Sequence, residues 1–386
     1  MRVGLNLIYL VPGETGGMEV VARELLPELK RAAPRLSFTA FINREAAAAG
    51  DGPWGEIMPA VTVPIRATSR PQWVLGDQAL LPPIAMRQRI QLLHSLASIA
   101  PAWGRYRRVV TVHDIIYARF PETHAGLRDL GMRQLVPLAV RSAHRVMVDA
   151  SSTKTDLVQM LRADARKIDV VPLGLGTPRR HRPASERDVR ARLDLGEREV
   201  ILSLSAKRPH KNLARLIAAL ACIPAQRRPV LVLPGYATGH ERALRELAMA
   251  EGVAADVRFL EWISAEDLEG LWAIARAFLF PSLYEGFGLP VLEAMDRGVP
   301  VACSNASSLP EVAGDAALLF DPHDDGQIRD AIQRLLEDHP LRDTLIARGR
   351  DRVRQFTWQR TAQGTLTSYA CALGLPTVPA SWTAPV

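Results

Sequence analysis

Two glutamates flank a glycine-bearing run in the stretch PSLYEGFGLPVLEAMDRGVP, residues 281–300: Glu285 precedes Gly286 and Gly288, and Glu293 follows Pro290. The glycines permit a tight turn and let another group approach the backbone closely. A proline suits the first turn of a helix. An apolar strand pattern runs into Pro281 and Ser282, so the stretch reads as strand, loop and helix start. The unpaired N–H groups of such a start favour a phosphate or another anion. Carboxylates accept hydrogen bonds well from the paired hydroxyls of a sugar. Glycosidase chemistry would need two carboxyls on opposite sides of the reacting carbon. Here both lie on one loop and the helix after it, which suits binding. Either glutamate alone is an ordinary occupant of a helix start.

A second constellation is basic. In ILSLSAKRPHKNLARLI, residues 201–217, Lys207, Arg208 and Lys211 occupy a turn between a strand and a helix, and Asn212 is placed to cap that helix. Basic residues at such turns commonly do no more than meet solvent. The chain, however, holds five Lys against 43 Arg, and two of the five lie in this turn.

The first half offers less pointed patterns. Gly16 and Gly17 sit in the first strand-to-helix turn, with Glu19 opening the helix; such a turn could cradle phosphate, and it is also what any tight turn looks like. His113 and Asp114 follow an apolar strand in TVHDIIYARFPE, residues 111–122. Ser151 and Ser152 read as helix caps. No Asp-x-Asp triplet occurs, so no essential metal is expected on a diphosphate.

These residues need a scaffold that brings strand ends and helix starts together. Near-continuous apolar runs at 2–11, 36–42, 91–95, 108–114 and 144–150 alternate with stretches whose apolar residues recur every three or four positions. The alternation resets after a Pro-, Gly- and Arg-rich segment and resumes with strands at 200–206, 229–235, 257–263, 277–283, 299–305 and 317–320. Buried parallel sheets covered by helices follow from that pattern. The expectation is α/β: an N-terminal domain over 1–172, a linker over 173–188, a C-terminal domain over 189–358, and a helix and tail over 359–386, the helix packing back on the first domain. Two doubly wound domains would face each other across a cleft, where open sheets of this kind bind ligands. The last residues, PTVPASWTAPV, read as a loose tail.

Composition narrows the class. At 386 residues, 48% hydrophobic and 23% charged, the chain is globular, and no apolar run reaches the roughly 18–20 residues of a membrane-spanning helix. The apolar N-terminus ends in a glycine turn and reads as a buried strand, not a signal peptide. Three scattered cysteines suggest neither disulfides nor zinc, and point to a reducing, cytoplasmic setting. Residues 1–171 carry 22 Lys+Arg against 15 Asp+Glu, while the remainder is balanced at 26 against 26, so the net +7 belongs to the first half. That excess fits a solvated surface, or peripheral contact with an anionic membrane or acceptor. No basic stripe with interleaved aromatics indicates nucleic acid.

The run from 281 to 300, continued by SNASSLPEVAGDAALLFDP at 304–322, resembles the E-x7-E signature of nucleotide-sugar glycosyltransferases of the GT-B fold, most closely the retaining family-4 group. The resemblance implies that Glu285 contacts the donor sugar and that the amides of Gly286, Phe287, Gly288 and Leu289 hold sugar and phosphate. It implies that Glu293 binds the ribose hydroxyls, and that Lys211 and Arg208 meet the diphosphate. The family often has an arginine a few residues before that lysine, where this chain has Ser205 and Ala206. Residues 257–273 resemble the segment that reads the nucleotide base, placing it at Trp262 and Ile263. Gly16 and Gly17 match a loop near the donor phosphates, and His113 a residue that approaches the donor sugar. The implied reaction moves a sugar from a nucleoside diphosphate to a hydroxyl with retention, without cofactor or metal. GDP-mannose ranks first as donor, and a surface-glycan or lipid-linked saccharide as acceptor. An epimerase on the same scaffold, or a module binding anionic surfaces, are the alternatives.

Overall fold

The computed structural model describes residues 1–50, 55–120, 127–176 and 181–383, with the backbone alone over 127–130. It contains two compact units. One comprises Met1–Gly176 together with Phe356–Val386, the other Thr177–Gln355.

The first unit is built on seven parallel strands: β1 (Arg2–Asn6), β2 (Ser37–Ile42), β3 (Ala60–Thr62), β4 (Leu92–Ser95), β5 (Arg107–Thr111), β6 (Arg145–Val148) and β7 (Ile168–Val170). Their order is β3-β2-β1-β4-β5-β6-β7. The chain moves outward in one direction from β1 and then in the other from β4. The boundary between those strands is the topological switch point, where open sheets of this class place ligands. Gly4 lies in β1 opposite Thr39 and Leu93. A Cβ there would come within 2.7 Å of Phe41 and 2.9 Å of Leu93, so only glycine lets both neighbours close over the strand.

Helix Gly17–Ala32 buries Val21, Ala22, Leu25, Leu26 and Leu29, a stripe at the helical repeat. The helix Trp358–Ala372 completes this unit: Thr361 Oγ1 donates to Pro172 O at 2.8 Å and Trp358 Nε1 to Leu175 O at 2.7 Å. Leu175 N also donates to Phe356 O at 3.1 Å, tying the outgoing and returning chain together. The last described residues are anchored, contrary to the loose tail expected from their composition. Trp382 is buried and its carbonyl accepts from Arg35 N. Burial of an aromatic ring contributes about 2–3 kcal/mol, enough to order a short polar segment. Residues 384–386 of that tail fall outside the described chain.

The second unit holds six parallel strands: β8 (Val200–Leu202), β9 (Val230–Pro234), β10 (Val257–Leu260), β11 (Ala275–Phe280), β12 (Val301–Ser304) and β13 (Ala317–Phe320). Their order is β10-β9-β8-β11-β12-β13, so its switch point lies between β8 and β11. The strands are mostly apolar because helices cover both faces. Helix Leu213–Ala221 turns Leu213, Leu216, Ile217 and Leu220 into the core, and Asp325–Glu337 adds Ile328, Ile332 and Leu335. Part of the segment read as a linker is ordered: Ser185 Oγ accepts from Asp188 N and opens helix Glu186–Arg192. Residues 177–180 lie outside the described chain. Among the described residues no helix is long and apolar enough to cross a membrane.

Candidate functional site

β8 ends at Leu202 and the chain enters the basic turn, where the three cations have different fates. Lys207 is fully buried, and its ammonium donates to Gly235 O and Leu260 O at the ends of β9 and β10. Desolvation lowers its pKa, partly countered by Glu241, whose carboxylate is 3.8 Å away. Arg208 lies with its guanidinium 5.7 Å from the ring centre of Tyr236. Lys211 reaches the other way: its Nζ donates to Glu285 Oε1 at 2.6 Å and sits 5.5 Å from the Phe280 ring centre. The two side chains of that ion pair are 17% and 11% exposed, so both are accessible yet held.

Asn212 does not cap its helix with its side chain, as its position suggests. Its backbone is left-handed (φ 58°), and Nδ2 donates to Pro281 O at 3.1 Å and Pro322 O at 2.8 Å. Donation from Nδ2 to two loop carbonyls, beyond β11 and β13, sets the side chain's direction. The turn carrying Lys211 is thereby stitched to the loop carrying Glu285. Leu283 N donating to His210 O at 2.8 Å adds a second stitch.

The loop after β11 is fixed by serines that sequence reasoning passed over. Glu285 N donates to Ser307 Oγ at 2.8 Å; Ser308 Oγ donates to Glu285 O at 3.0 Å and Phe287 O at 2.6 Å. The only sequence signal is the serine-rich turn in SNASSLPE, which lies in the run carrying the family resemblance. Gly288 has φ 117° and a Cβ there would meet Leu309 at 2.7 Å, so glycine is required twice over. Helix Leu289–Asp296 begins immediately after it, with Pro290 in its first turn and Glu293 one turn in. The structure therefore brings Lys211, Glu285, Gly286, Phe287, Gly288 and Leu289 to the carboxyl ends of β8 and β11.

Two hydroxyls at the same place have no partner. Ser203, directly after β8, and Ser282, just beyond β11, are buried, and their Oγ atoms make no hydrogen bond among the described residues. Buried hydroxyls are normally satisfied by protein, water or ligand. Next along the sheet edge, Tyr236 and Trp262 stack with ring centres 6.5 Å apart and planes 22° apart; Ile263, beside Trp262, is half-buried. Tyr236 carries no motif that singles it out in the sequence.

The first unit is arranged differently. At the end of β1, Asn6 Nδ2 donates to Asp77 Oδ1 at 2.7 Å and to Ser95 Oγ at 3.0 Å, and Gln78 Nε2 donates to Asp77 Oδ2 at 2.7 Å. Burial pushes the Asp77 carboxyl up to about 7, against the pull of those hydrogen bonds. His94 is bonded through both ring nitrogens, to Tyr369 Oη and Thr111 Oγ1, each at 2.8 Å. Burial drives its pKa down to about 3. His113 is likewise committed on both sides, Nδ1 to Asp149 Oδ2 at 2.6 Å and Nε2 to Leu96 O at 2.9 Å. Burial opposes its charge, but the Asp149 carboxylate and its hydrogen bond outweigh that and raise it to about 8. The sequence reading of His113 as a sugar contact is narrowed accordingly: neither ring nitrogen is open to a hydroxyl unless an existing bond breaks.

Gly16 (φ 65°) and Gly17 begin helix Gly17–Ala32, and no atom lies within 4 Å of a Cβ at either. Glu19, one turn in, accepts from Gly13 N at 2.8 Å and from Arg23, holding the loop that leads to them. Ser151 and Ser152 are not caps. Helix Ser151–Leu161 starts at Ser151 itself, with Ala150 in the cap position and no side-chain cap bond. Of the His113 segment, residues 121 and 122 fall outside the described chain.

Comparison with known proteins agrees with this geometry. The family "Glycosyl transferases group 1" matches residues 185–352, and "Glycosyltransferase Family 4" matches residues 15–179. The chain is 34% identical over 268 residues to O-antigen chain mannosyltransferase B of Escherichia coli, a match covering 68% of this chain and 70% of that relative. It is 32% identical to a D-inositol 3-phosphate glycosyltransferase of a Nocardioides species, over 77% of this chain and 65% of that relative. Among solved structures, sucrose-phosphate synthase from Thermosynechococcus elongatus superposes with a TM-score of 0.76 at 20% identity, covering 97% of this chain and 99% of the other. HepE from Anabaena, solved with UDP and glucose, gives 0.74 at 21% identity over 96% and 99%.

Proposed function

Because the chain belongs to Glycosyltransferase Family 4 and has the GT-B fold, we propose that its donor is a nucleoside diphosphate sugar bound at the β8/β11 switch point, with GDP-mannose ranked first. That it is a glycosyltransferase follows from the family; the donor, the acceptor and the residue roles are the proposal. The observation that carries it is the Lys211–Glu285 pair, fixed by Asn212 and the serines at 307 and 308, beside a helix start and two unpartnered hydroxyls.

The chemistry follows from where charge develops. Breaking the bond from the anomeric carbon to the diphosphate oxygen leaves negative charge on the phosphates and positive charge on the sugar. Lys211 and the amides from Gly286 to Leu289 meet the first, with Arg208 as a further donor, and groups held in advance by their own loops need no rearrangement during reaction. Glu285, paired with Lys211, accepts from the sugar hydroxyls, and Glu293 accepts from the ribose. Trp262 and Ile263 lie where the base is expected. His113 acts as a fixed charge held by Asp149, not as a base. Transfer proceeds with retention and without metal or cofactor, and no residue here is assigned as a nucleophile.

The similarity to an O-antigen mannosyltransferase supports mannose as the sugar and a surface glycan or lipid-linked saccharide as the acceptor. Peripheral contact with an anionic bilayer is supported by a concavity lined by exposed Arg89 and Arg105 with Trp103, 48% exposed, Met86 and Ile90; Arg87 and Arg107, also exposed, lie close by in the sequence. Vesicle binding that falls with salt would agree with that contact.

A thermal-shift screen with GDP, UDP, ADP and dTDP tests the donor class, because a ligand that binds the folded chain raises its apparent stability. A rise with at least one of them is expected, and transfer of radiolabelled mannose from GDP-mannose then tests the sugar. No shift with any of the four would remove the proposal.

A further inference from the structure

We propose that Tyr236 and Trp262 form the ledge that receives the nucleotide base, that the ledge favours a purine, and that buried Lys207 is the positioning residue that holds it. The inference rests on the nucleoside diphosphate reading above.

Three observations carry it. Tyr236 lies two residues beyond β9 and Trp262 two residues beyond β10, so adjacent strands present adjacent aromatics at the same edge of the sheet. The rings are nearly parallel, and Arg208 lies over the Tyr236 side. Trp262 is nonetheless 74% exposed and Tyr236 40%. Single exposed aromatics are common, but two held together at the ligand edge of a nucleotide-binding type of sheet form a patch with a use.

What holds them is unusual. The buried Lys207 ammonium bridges Gly235 O, one residue before Tyr236, and Leu260 O, two before Trp262. Its own backbone completes the clasp: Lys207 N donates to Tyr236 O and Thr238 Oγ1 donates to Lys207 O. At Gly235 (φ 134°) a Cβ would lie 2.2 Å from Ser205 O, so the two turns are in backbone contact. An apolar side chain would fill the Lys207 site without a buried charge, which is costly to desolvate. What the lysine adds is a cross-link between the two aromatic-bearing loops. Aromatic ledges hold bases through their π faces, and a bicyclic purine offers more face than a pyrimidine.

Calorimetry on the full chain with GDP, ADP, UDP and dTDP tests this. The purine diphosphates are expected to bind at least about threefold tighter, and Trp262→Ala to weaken them roughly tenfold and level the four affinities. Quenching of indole fluorescence by GDP should vanish in the same variant. Trp262 is too exposed for its removal to endanger folding. Lys207→Met is expected to lower purine affinity while leaving inorganic pyrophosphate binding at the native level. Parallel loss of both ligands, or no change in either, would remove Lys207 from its role. Equal affinity for all four nucleotides in the native chain, or an indifferent Trp262→Ala, overturns the ledge and leaves the donor reading standing. Failure of all four to bind the native chain overturns both.

Discussion

The two switch points of this molecule have the same topology and opposite polar economies. Between β1 and β4, Asn6, Asp77, Ser95 and Gln78 satisfy one another, and nearby His94 and His113 each use both ring nitrogens on protein partners. Between β8 and β11, Lys211 and Glu285 pair but stay accessible, and Ser203 and Ser282 keep hydroxyls without partners among the described residues. A closed network fixes a core. A set with capacity left over, beside a helix start, awaits a ligand. On the proposed function, the same architecture serves as framework in one unit and as receptor in the other.

Removing a member from each side should break the comparison in different ways. Lys211→Ala, on the receptor side, is expected to lower turnover at saturating donor roughly 10²- to 10³-fold with the melting temperature little changed, since it removes a preorganised charge from the leaving diphosphate. Steady-state kinetics with paired calorimetric melts would check it; an unaltered rate would strike Lys211 from the mechanism. Asp77→Ala, on the framework side, should do the reverse. It strands Asn6 and Gln78 donors and should cost about 2–3 kcal/mol in denaturant unfolding, with nucleotide affinity unchanged.

The framework should also carry the pH response. His113 is raised to about 8 in the folded chain against an ordinary value near 6.5. The folded state therefore binds the proton more tightly, and this stabilisation, about 2 kcal/mol, is complete below pH 6.5 and lost as pH rises through 8. His94, held near 3, has the opposite sign: its contribution is present above pH 6.5 and declines as pH falls below it. Asp77, raised to about 7, works against His94 in the acid range, since its own stabilisation is lost as pH rises. Unfolding free energies measured from pH 5 to 9 should therefore change little below pH 6.5 and fall between pH 6.5 and 8, and His113→Gln should lessen that fall. A smaller effect belongs to Glu293→Ala, expected to weaken nucleoside diphosphate binding roughly tenfold by removing the acceptor for ribose hydroxyls. Calorimetry reads it directly, and an unchanged Kd would withdraw that role.

Much of this was legible before any coordinates. Eleven of the strands announce themselves as apolar runs. The two that do not, β3 and β7, are three-residue edge strands with sequences AVT and IDV, too short to show a period. The Lys211 and Glu285 loops were found by residue type and spacing, and the family resemblance told which anion to expect. What stayed hidden depends on burial and competition. Lys207 and Lys211 share a turn, and nothing in their spacing says that one is wholly buried and the other reaches a carboxylate. Asn212 looks like a cap, but its backbone is left-handed and its side chain is turned to donate from Nδ2 to two loop carbonyls. Ser151 fails as a cap because the helix starts at it, not after it. Trp382 sits among prolines and small residues, yet its ring is buried.

Hydrogen–deuterium exchange of the full chain, with and without the nucleoside diphosphate that gives the largest thermal shift, tests the receptor assignment most directly. The account predicts slowed exchange at the amides of residues 207–213 and 285–293. Exchange that is unchanged in both segments under saturating nucleotide would contradict it.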